Sequence, residues 1–197
     1  MDGWHLLFTA FLPKALIGLA LNSVRGVMKT TMRLVSVAGA MVMTGSVLVA
    51  GEWTPLFNGK DVSGWDVVGD AKIEVVDGVL VGSQKSPKGG NLFTEAEFDN
   101  FELRFTYKVD WPANSGVWFR YDGKGYQYDI LKYKKPVAFS GTLYCPGKMF
   151  ITRNLNEALE NKDGWNEGQI YANGDHLILW LNGTKVGECK DDTLAKG

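Results

Sequence analysis

The chain has 197 residues, with 21 Lys and Arg against 22 Asp and Glu, and its formal net charge of −1 excludes a nucleic-acid surface built on bulk positive charge. Hydrophobic residues at 45% and charged residues at 22% exclude a disordered chain and permit a packed core. With 24 Gly, only 6 Pro, 7 Trp, 7 Tyr and 10 Phe, the composition leans towards a turn-rich β architecture rather than a helical bundle.

Charge is uneven along the chain. Residues 1–51 hold Lys14, Arg25, Lys29 and Arg33 against Asp2 alone, which leaves 17 basic and 21 acidic residues, net −4, in 52–197. Leu34 to Val49 is uncharged, small and apolar, with Lys29 and Arg33 before it and the small pair Ala50-Gly51 after it. This pattern predicts a secretory signal peptide over 28–51, removed after Ala50 or Gly51. A retained membrane anchor is the alternative, but the run is shorter than the roughly 20 apolar residues a spanning helix needs. No Cys follows Gly51, which argues against a lipoprotein anchor. Leu6 to Leu12 and Ala15 to Leu21 are apolar too, but Pro13-Lys14 interrupts them and a second export signal ahead of the first has no purpose. Translation is therefore expected to start at Met28, with 1–27 upstream of it. The expected location is periplasmic or extracellular, with no membrane association once the signal is removed.

Export would allow Cys145 and Cys189 to pair, although both fit equally well as small buried hydrophobes, and the sequence leaves the two open. His176 is the only His after Met28, so no structural zinc site is expected. Loop Asp and Asn oxygens leave a calcium site open, but no contiguous loop has the ligand spacing to assert one, and no metal or cofactor is assigned.

From Trp53 onward, short alternating runs are broken by turn residues. Turns are expected at Phe57–Asp61 and Ser63–Trp65, and a hairpin over Ile73–Val81 about Asp77-Gly78. Asn91–Thr94 reads as a short strand. Phe101–Val109 has strict period two, with Phe101, Leu103, Phe105, Tyr107 and Val109 on one face and Glu102, Arg104, Thr106 and Lys108 on the other. Val117–Tyr121 and Tyr126–Leu131 carry bulky groups on both faces, as central strands do, and alternation predicts Trp118, Arg120, Gln127 and Asp129 on one side. Lys132–Gly164 is the least regular stretch and reads as a functional loop region with a turn or two of helix in Asn154–Asn161. Strand texture returns in Trp165–Ala172, His176–Leu181 and Thr184–Glu188, separated by Asn173-Gly174 and Asn182-Gly183. Together these predict a single all-β domain over 52–197, an antiparallel β-sandwich of jelly-roll type.

An ordered set of short patterns carries a resemblance across nearly all of 52–197. They are Leu56–Trp65, Val76–Leu80, Gly89–Leu92, Phe101–Leu103, Asn114–Val117 with Arg120, Gly125–Ile130, and Leu181–Val186. In this order the chain resembles the 3-keto-disaccharide hydrolase domain family, formerly a domain of unknown function. The resemblance implies a concanavalin-A-like lectin/glucanase sandwich of bacterial, exported type, acting on a disaccharide or related glycoside. The chain carries Gln127 then Asp129 where family members commonly show an acidic residue followed two positions on by Gln, and Thr106 where a Glu often stands. Similar domains also continue past the position of Gly197 through at least one more strand, so a sandwich lacking its C-terminal strand is expected.

Ordinary glycosidases need two carboxyl groups at a set separation, and no such pair stands out here. A 3-keto sugar relaxes that requirement, because the ketone acidifies the adjacent C2–H. One base and a carbonyl polariser then suffice, and Asp129 as base with Arg120 and Gln127 orienting or polarising the sugar suits the chemistry. The bland alternative is a structural Asp129–Arg120 ion pair across adjacent strands. Asn114 and Ser115 are expected either in the sugar cleft or in a simple turn, Trp118 and Tyr144 as stacking residues, and Tyr126 and Tyr128 in the core. His176 is expected at the surface. Three functions compete: a hydrolase or elimination/hydration enzyme on 3-keto glycosides, a non-catalytic carbohydrate-binding module, and an interaction domain docking through an unprotected sheet edge.

Overall fold

The computed structural model describes residues 5–10, 17–26, 53–84 and 89–194. Fourteen strands lie among them: β1 (His5–Ala10), β2 (Ile17–Gly26), β3 (Trp65–Gly69), β4 (Ala71–Val76), β5 (Val79–Gln84), β6 (Gly90–Thr94), β7 (Phe101–Val109), β8 (Asn114–Tyr121), β9 (Tyr126–Lys134), β10 (Val137–Cys145), β11 (Met149–Asn154), β12 (Asn166–Asn173), β13 (His176–Leu181) and β14 (Thr184–Lys190). They form two seven-stranded antiparallel sheets. Sheet A runs β11-β10-β9-β8-β1-β6-β3 and sheet B runs β14-β13-β12-β7-β2-β5-β4. The chain is thus the antiparallel β-sandwich that its alternating pattern predicts.

Local chemistry explains the connections. Asp77 and Gly78 between β4 and β5 both take positive φ, 51° and 76°, as a primed two-residue hairpin turn requires. Asn182 and Gly183 do the same between β13 and β14, at 49° and 74°. The core follows from period two. The inward residues Leu103, Phe105 and Tyr107 of β7 are fully buried, as are Val117, Phe119, Tyr126, Tyr128 and Leu143 of sheet A. Phe105 packs edge-on to Tyr128 with ring centroids 5.2 Å apart, and Phe101 meets Phe119 in the same way at 5.9 Å. The Tyr128 hydroxyl then donates to the carbonyl of Trp180 in the opposite sheet at 3.1 Å, which satisfies its one polar atom.

The expected loop region Lys132–Gly164 is mostly sheet. β9 continues to Lys134, β10 and β11 follow, and helix is confined to a 3-10 turn at Glu157–Leu159. The alternation that would have shown β10 is broken at Ser140-Gly141-Thr142. There Gly141 adopts φ 87° and the β10–β11 register shifts between Phe139 and Leu143. The segment expected as an export signal, 28–51, lies outside the described residues. The stretch ahead of it supplies β1, paired between β6 and β8, and β2, paired between β5 and β7.

Close packing leaves single atoms no freedom. A Cβ on Gly168 of β12 would lie 2.2 Å from the Phe105 ring in the middle of the core. Gly168→Ala is expected to destabilise the fold by about 1–3 kcal/mol, because the ring must leave its packed position. Urea denaturation of the two proteins measures the difference, and an unchanged midpoint would show that the Phe105 ring moves freely.

Candidate functional site

The site is built on the outer face of sheet A. Inward placement of Tyr126, Tyr128 and Ile130 on β9 forces Gln127, Asp129 and Leu131 to the other side. Cross-strand register extends this face. Trp118 of β8 and Tyr144 of β10 are both partners of Gln127, and Phe150 of β11 is the partner of Tyr144. Paired residues present side chains to the same face, so Trp118, Gln127, Tyr144 and Phe150 make one row across four strands. The Trp118 and Tyr144 rings meet edge to face over the intervening strand, with centroids 5.8 Å apart, and Gln127 is only 9% exposed. Trp118 also touches Tyr121 at 5.8 Å, and Tyr121 touches Phe93 of β6 at 5.6 Å.

Asp129 is in the next row, opposite Gly116. A Cβ at Gly116 would come within 2.7 Å of the Gln127 side-chain nitrogen and 2.5 Å of the Tyr128 carbonyl oxygen. The glycine therefore makes room for the Gln127 amide to lie across β8, beside the position of Asp129. Asp129 itself is 4% exposed. No hydrogen bond or ion pair reaches its carboxyl among the described residues, and burial pushes it well above the ordinary aspartate range.

Other buried carboxyls are different. Burial alone would raise Asp191, but hydrogen bonds from Lys148, Thr193 and Tyr126 outweigh it and hold the group well below the usual range. Burial raises Glu160, yet its Oε1 accepts the Tyr107 hydroxyl at 2.9 Å. Among the described residues Asp129 is thus the buried acid whose chemistry is not used up by the fold.

The residues expected at the site divide. Asp129, Gln127, Trp118, Tyr144 and exposed Asn114, the partner of Leu131, share the outer face. Ser115 does not: it is buried and pairs with Ile130, which puts it on the inter-sheet side. Arg120 does not either, and neither the polariser role nor the Asp129–Arg120 ion pair is formed. Its φ of 50° breaks the alternation, and its Nη1 donates to the Gly174 carbonyl across the sandwich at 2.6 Å. Burial depresses the guanidinium from its ordinary value, and its Nε and Nη2 have no partner among the described residues. Tyr126 and Tyr128 are in the core, and His176 is at the surface with Nε2 2.9 Å from Glu188. Cys145 and Cys189 are unbonded thiols, both raised by burial, Cys189 to about 11. Sequence reasoning missed Gly116, which read as a turn residue, and Phe150, which fell within the supposed loop. The Gly116–Asp129 register, once β8 and β9 are paired, is the signal that finds the first.

Among the described residues no cluster of three or more His, Cys, Asp or Glu side chains could hold a metal ion. The outer sheet face thus presents edge-to-face aromatics, a primary amide and one desolvated carboxyl on an antiparallel sandwich. Residues 52–197 match the 3-keto-alpha-glucoside-1,2-lyase-like domain, and the chain belongs to that family. Its fold is similar to the crystal structure of a protein from Parabacteroides distasonis ATCC 8503 that carries the provisional name glycosyl hydrolase. That likeness has 23% identity and a TM-score of 0.56, over 72% of this chain and 73% of the other. No protein of curated function matches the chain.

The electrostatics give a signed expectation. Asp129 binds its proton more tightly folded than unfolded, so its contribution to stability is complete below the unfolded aspartate pKa and is lost as pH rises through the raised folded value. Thermal unfolding from acidic to alkaline pH should therefore show the native protein losing stability relative to Asp129→Asn as pH rises. Parallel curves would show that Asp129 titrates as an ordinary aspartate.

Proposed function

We propose that this face cleaves the glycosidic bond of 3-keto-disaccharides or related glycosides by elimination and hydration, with Asp129 as the proton-transfer group. The observation that carries the reading is the buried Asp129 carboxyl, without a charged or hydrogen-bonded partner among the described residues, beside the Gln127 amide in a chain of this family. The Asp129 carboxylate takes the C2 proton, and the electron pair of that bond enters the enolate of the C3 ketone. Collapse of the enolate forms the C1–C2 double bond and expels the C1 substituent, which leaves with a proton drawn from solvent. Water adding at C1, with return of a proton to C2, completes hydrolysis. One carboxyl suffices for this route, whereas direct displacement needs two.

Gln127 replaces Arg120 as the group that orients or polarises the ketone, its amide N–H donating to the C3 oxygen. Trp118 and Tyr144 offer the sugar flat apolar area, and Asn114 a polar edge. Desolvation makes the Asp129 carboxylate a stronger base than an ordinary aspartate and reduces the fraction ionised at a given pH.

A non-catalytic carbohydrate-binding module of the same fold is the second reading, favoured by the near-complete cover over Gln127 and Asp129 at 9% and 4% exposure. The experiment compares 3-ketotrehalose with trehalose. Release of monosaccharide is expected from the keto sugar only, rising with pH through the Asp129 pKa, and reduced at least 100-fold in Asp129→Asn, the low end of what a general base contributes. Saturable binding without release would select the binding module, and a rate that falls with pH would make Asp129 an acid rather than a base. Trp118→Ala should weaken binding of either sugar by about tenfold, equal to the roughly 1.4 kcal/mol of one well-placed aromatic contact. Calorimetric titration measures it.

A further inference from the structure

We propose that β4, the end strand of sheet B, pairs with β4 of a second copy of this chain about a two-fold axis through Ile73, so that the two sheets join edge to edge. The inference does not depend on the sugar-binding reading, which concerns the outer face of sheet A.

The hairpin decides which backbone groups of β4 point outward. The two-residue turn at Asp77-Gly78 makes the flanking residues Val76 and Val79 exchange both of their backbone hydrogen bonds. Alternation then turns the N–H and C=O of Glu74 and Lys72 towards β5 as well, and those of Ile73 and Val75 away from it. Among the described residues β4 is the last strand of its sheet, so Ile73 and Val75 present donors and acceptors at an open edge. The β4–β5 ladder runs from Ala71 to Val76 without a register shift, and no Pro interrupts it. It lacks the bulge or proline that blunts an edge.

Side chains select the occupant. Lys72 and Glu74 share the exposed face of β4 and pair with each other, Nζ to Oε1, at 2.7 Å. In an antiparallel pair centred on Ile73, position 72 of one copy stands opposite position 74 of the other. Lys72 thus faces the second copy's Glu74, and Glu74 the second copy's Lys72, both at non-hydrogen-bonded positions, where opposed side chains are closest. The strand is complementary to itself under two-fold rotation, as an isologous contact requires. On the inner face Ile73 would meet its own copy and Val75 the copy's Ala71, covering three residues that the sandwich leaves only partly buried.

The other edges fit less well. β11 and β14 pack on one another at the opposite end of the sandwich, where a Cβ on Gly187 would collide with the Thr152 side chain, and the ladders that hold both strands shift register. β3 has a regular ladder, but Asp66 is its only charged residue and a two-fold copy offers it no base.

The test is sedimentation equilibrium of the full chain, with circular dichroism confirming the fold of each variant. The average mass should rise from one chain towards two through the micromolar range, because a single strand pair makes a small interface. Lys72→Glu sets Glu against Glu at both crossings and should weaken association about tenfold or more, as should Glu74→Lys. An equimolar mixture of these two single variants should associate again, since both Glu of one copy then face both Lys of the other. The Lys72→Glu/Glu74→Lys double variant restores opposite charges at each crossing and should return to within about twofold of the native affinity. One chain mass at every concentration, single variants that associate like the native protein, or a mixture and a double variant as weak as the single variants would overturn the proposal.

Discussion

The edge-on contact between Phe105 and Tyr128 holds the two sheets in the register on which the site depends. Tyr128 is fully buried, its hydroxyl is satisfied by the Trp180 carbonyl, and its ring meets Phe105 of the opposite sheet at 5.2 Å. Such a contact contributes about 0.5–1.5 kcal/mol beyond the area it buries. Its larger effect is geometric. With Tyr126, Tyr128 and Ile130 committed to the interior, Gln127 and Asp129 have only the outer face left. A one-residue slip of β9 would put an aspartate into the apolar core and a tyrosine onto the outer face, so the packing that stabilises the sandwich also selects the side chains it displays.

The state of Asp129 follows from the same arrangement. A carboxyl removed from water without a partner gives up its charge more readily than it accepts burial as an ion. Asp191 and Glu160 show the alternatives within the same molecule, one held as an anion by three hydrogen-bond donors and the other steadied by the Tyr107 hydroxyl. Gly116 is what keeps the third case available, because a side chain there would displace the Gln127 amide and close the space beside Asp129.

Much of this was legible in the sequence, for physical reasons that also explain the misses. Strict alternation over Phe101–Val109 reports a strand buried on one face, and β7 has that pattern of exposure. The face of Gln127 and Asp129 could be read in the same way because Tyr126 to Leu131 is regular. Arg120 could not, since a left-handed backbone at one residue reverses the direction of its side chain and leaves no trace in hydrophobic period. β10 was hidden by Ser140, Gly141 and Thr142, whose polar groups are satisfied inside the fold: the Thr142 hydroxyl donates to the Phe139 carbonyl and accepts from the Asn154 amide. Buried polar residues with local partners read as loop in a sequence. The pairing of β1 and β2 inside the sheets was equally illegible, because their apolar runs resemble the run after them that reads as an export signal.

The two outer faces of the sandwich also differ in a way that argues for sheet A as the functional one. On sheet B, the outward Glu102 of β7 accepts from Gln169 at 2.7 Å and from Arg104 at 3.3 Å, and Glu188 is shared by His176 and Lys185. Those charges neutralise one another at the surface, where such pairs contribute little to stability and ask nothing of a ligand. On sheet A the outward Asp129 is buried one row from Trp118, Gln127 and Tyr144, and no ion pair reaches it among the described residues. Folding alone gives no reason to bury an unpaired carboxyl in a sheet face, and the proposed proton transfer supplies one.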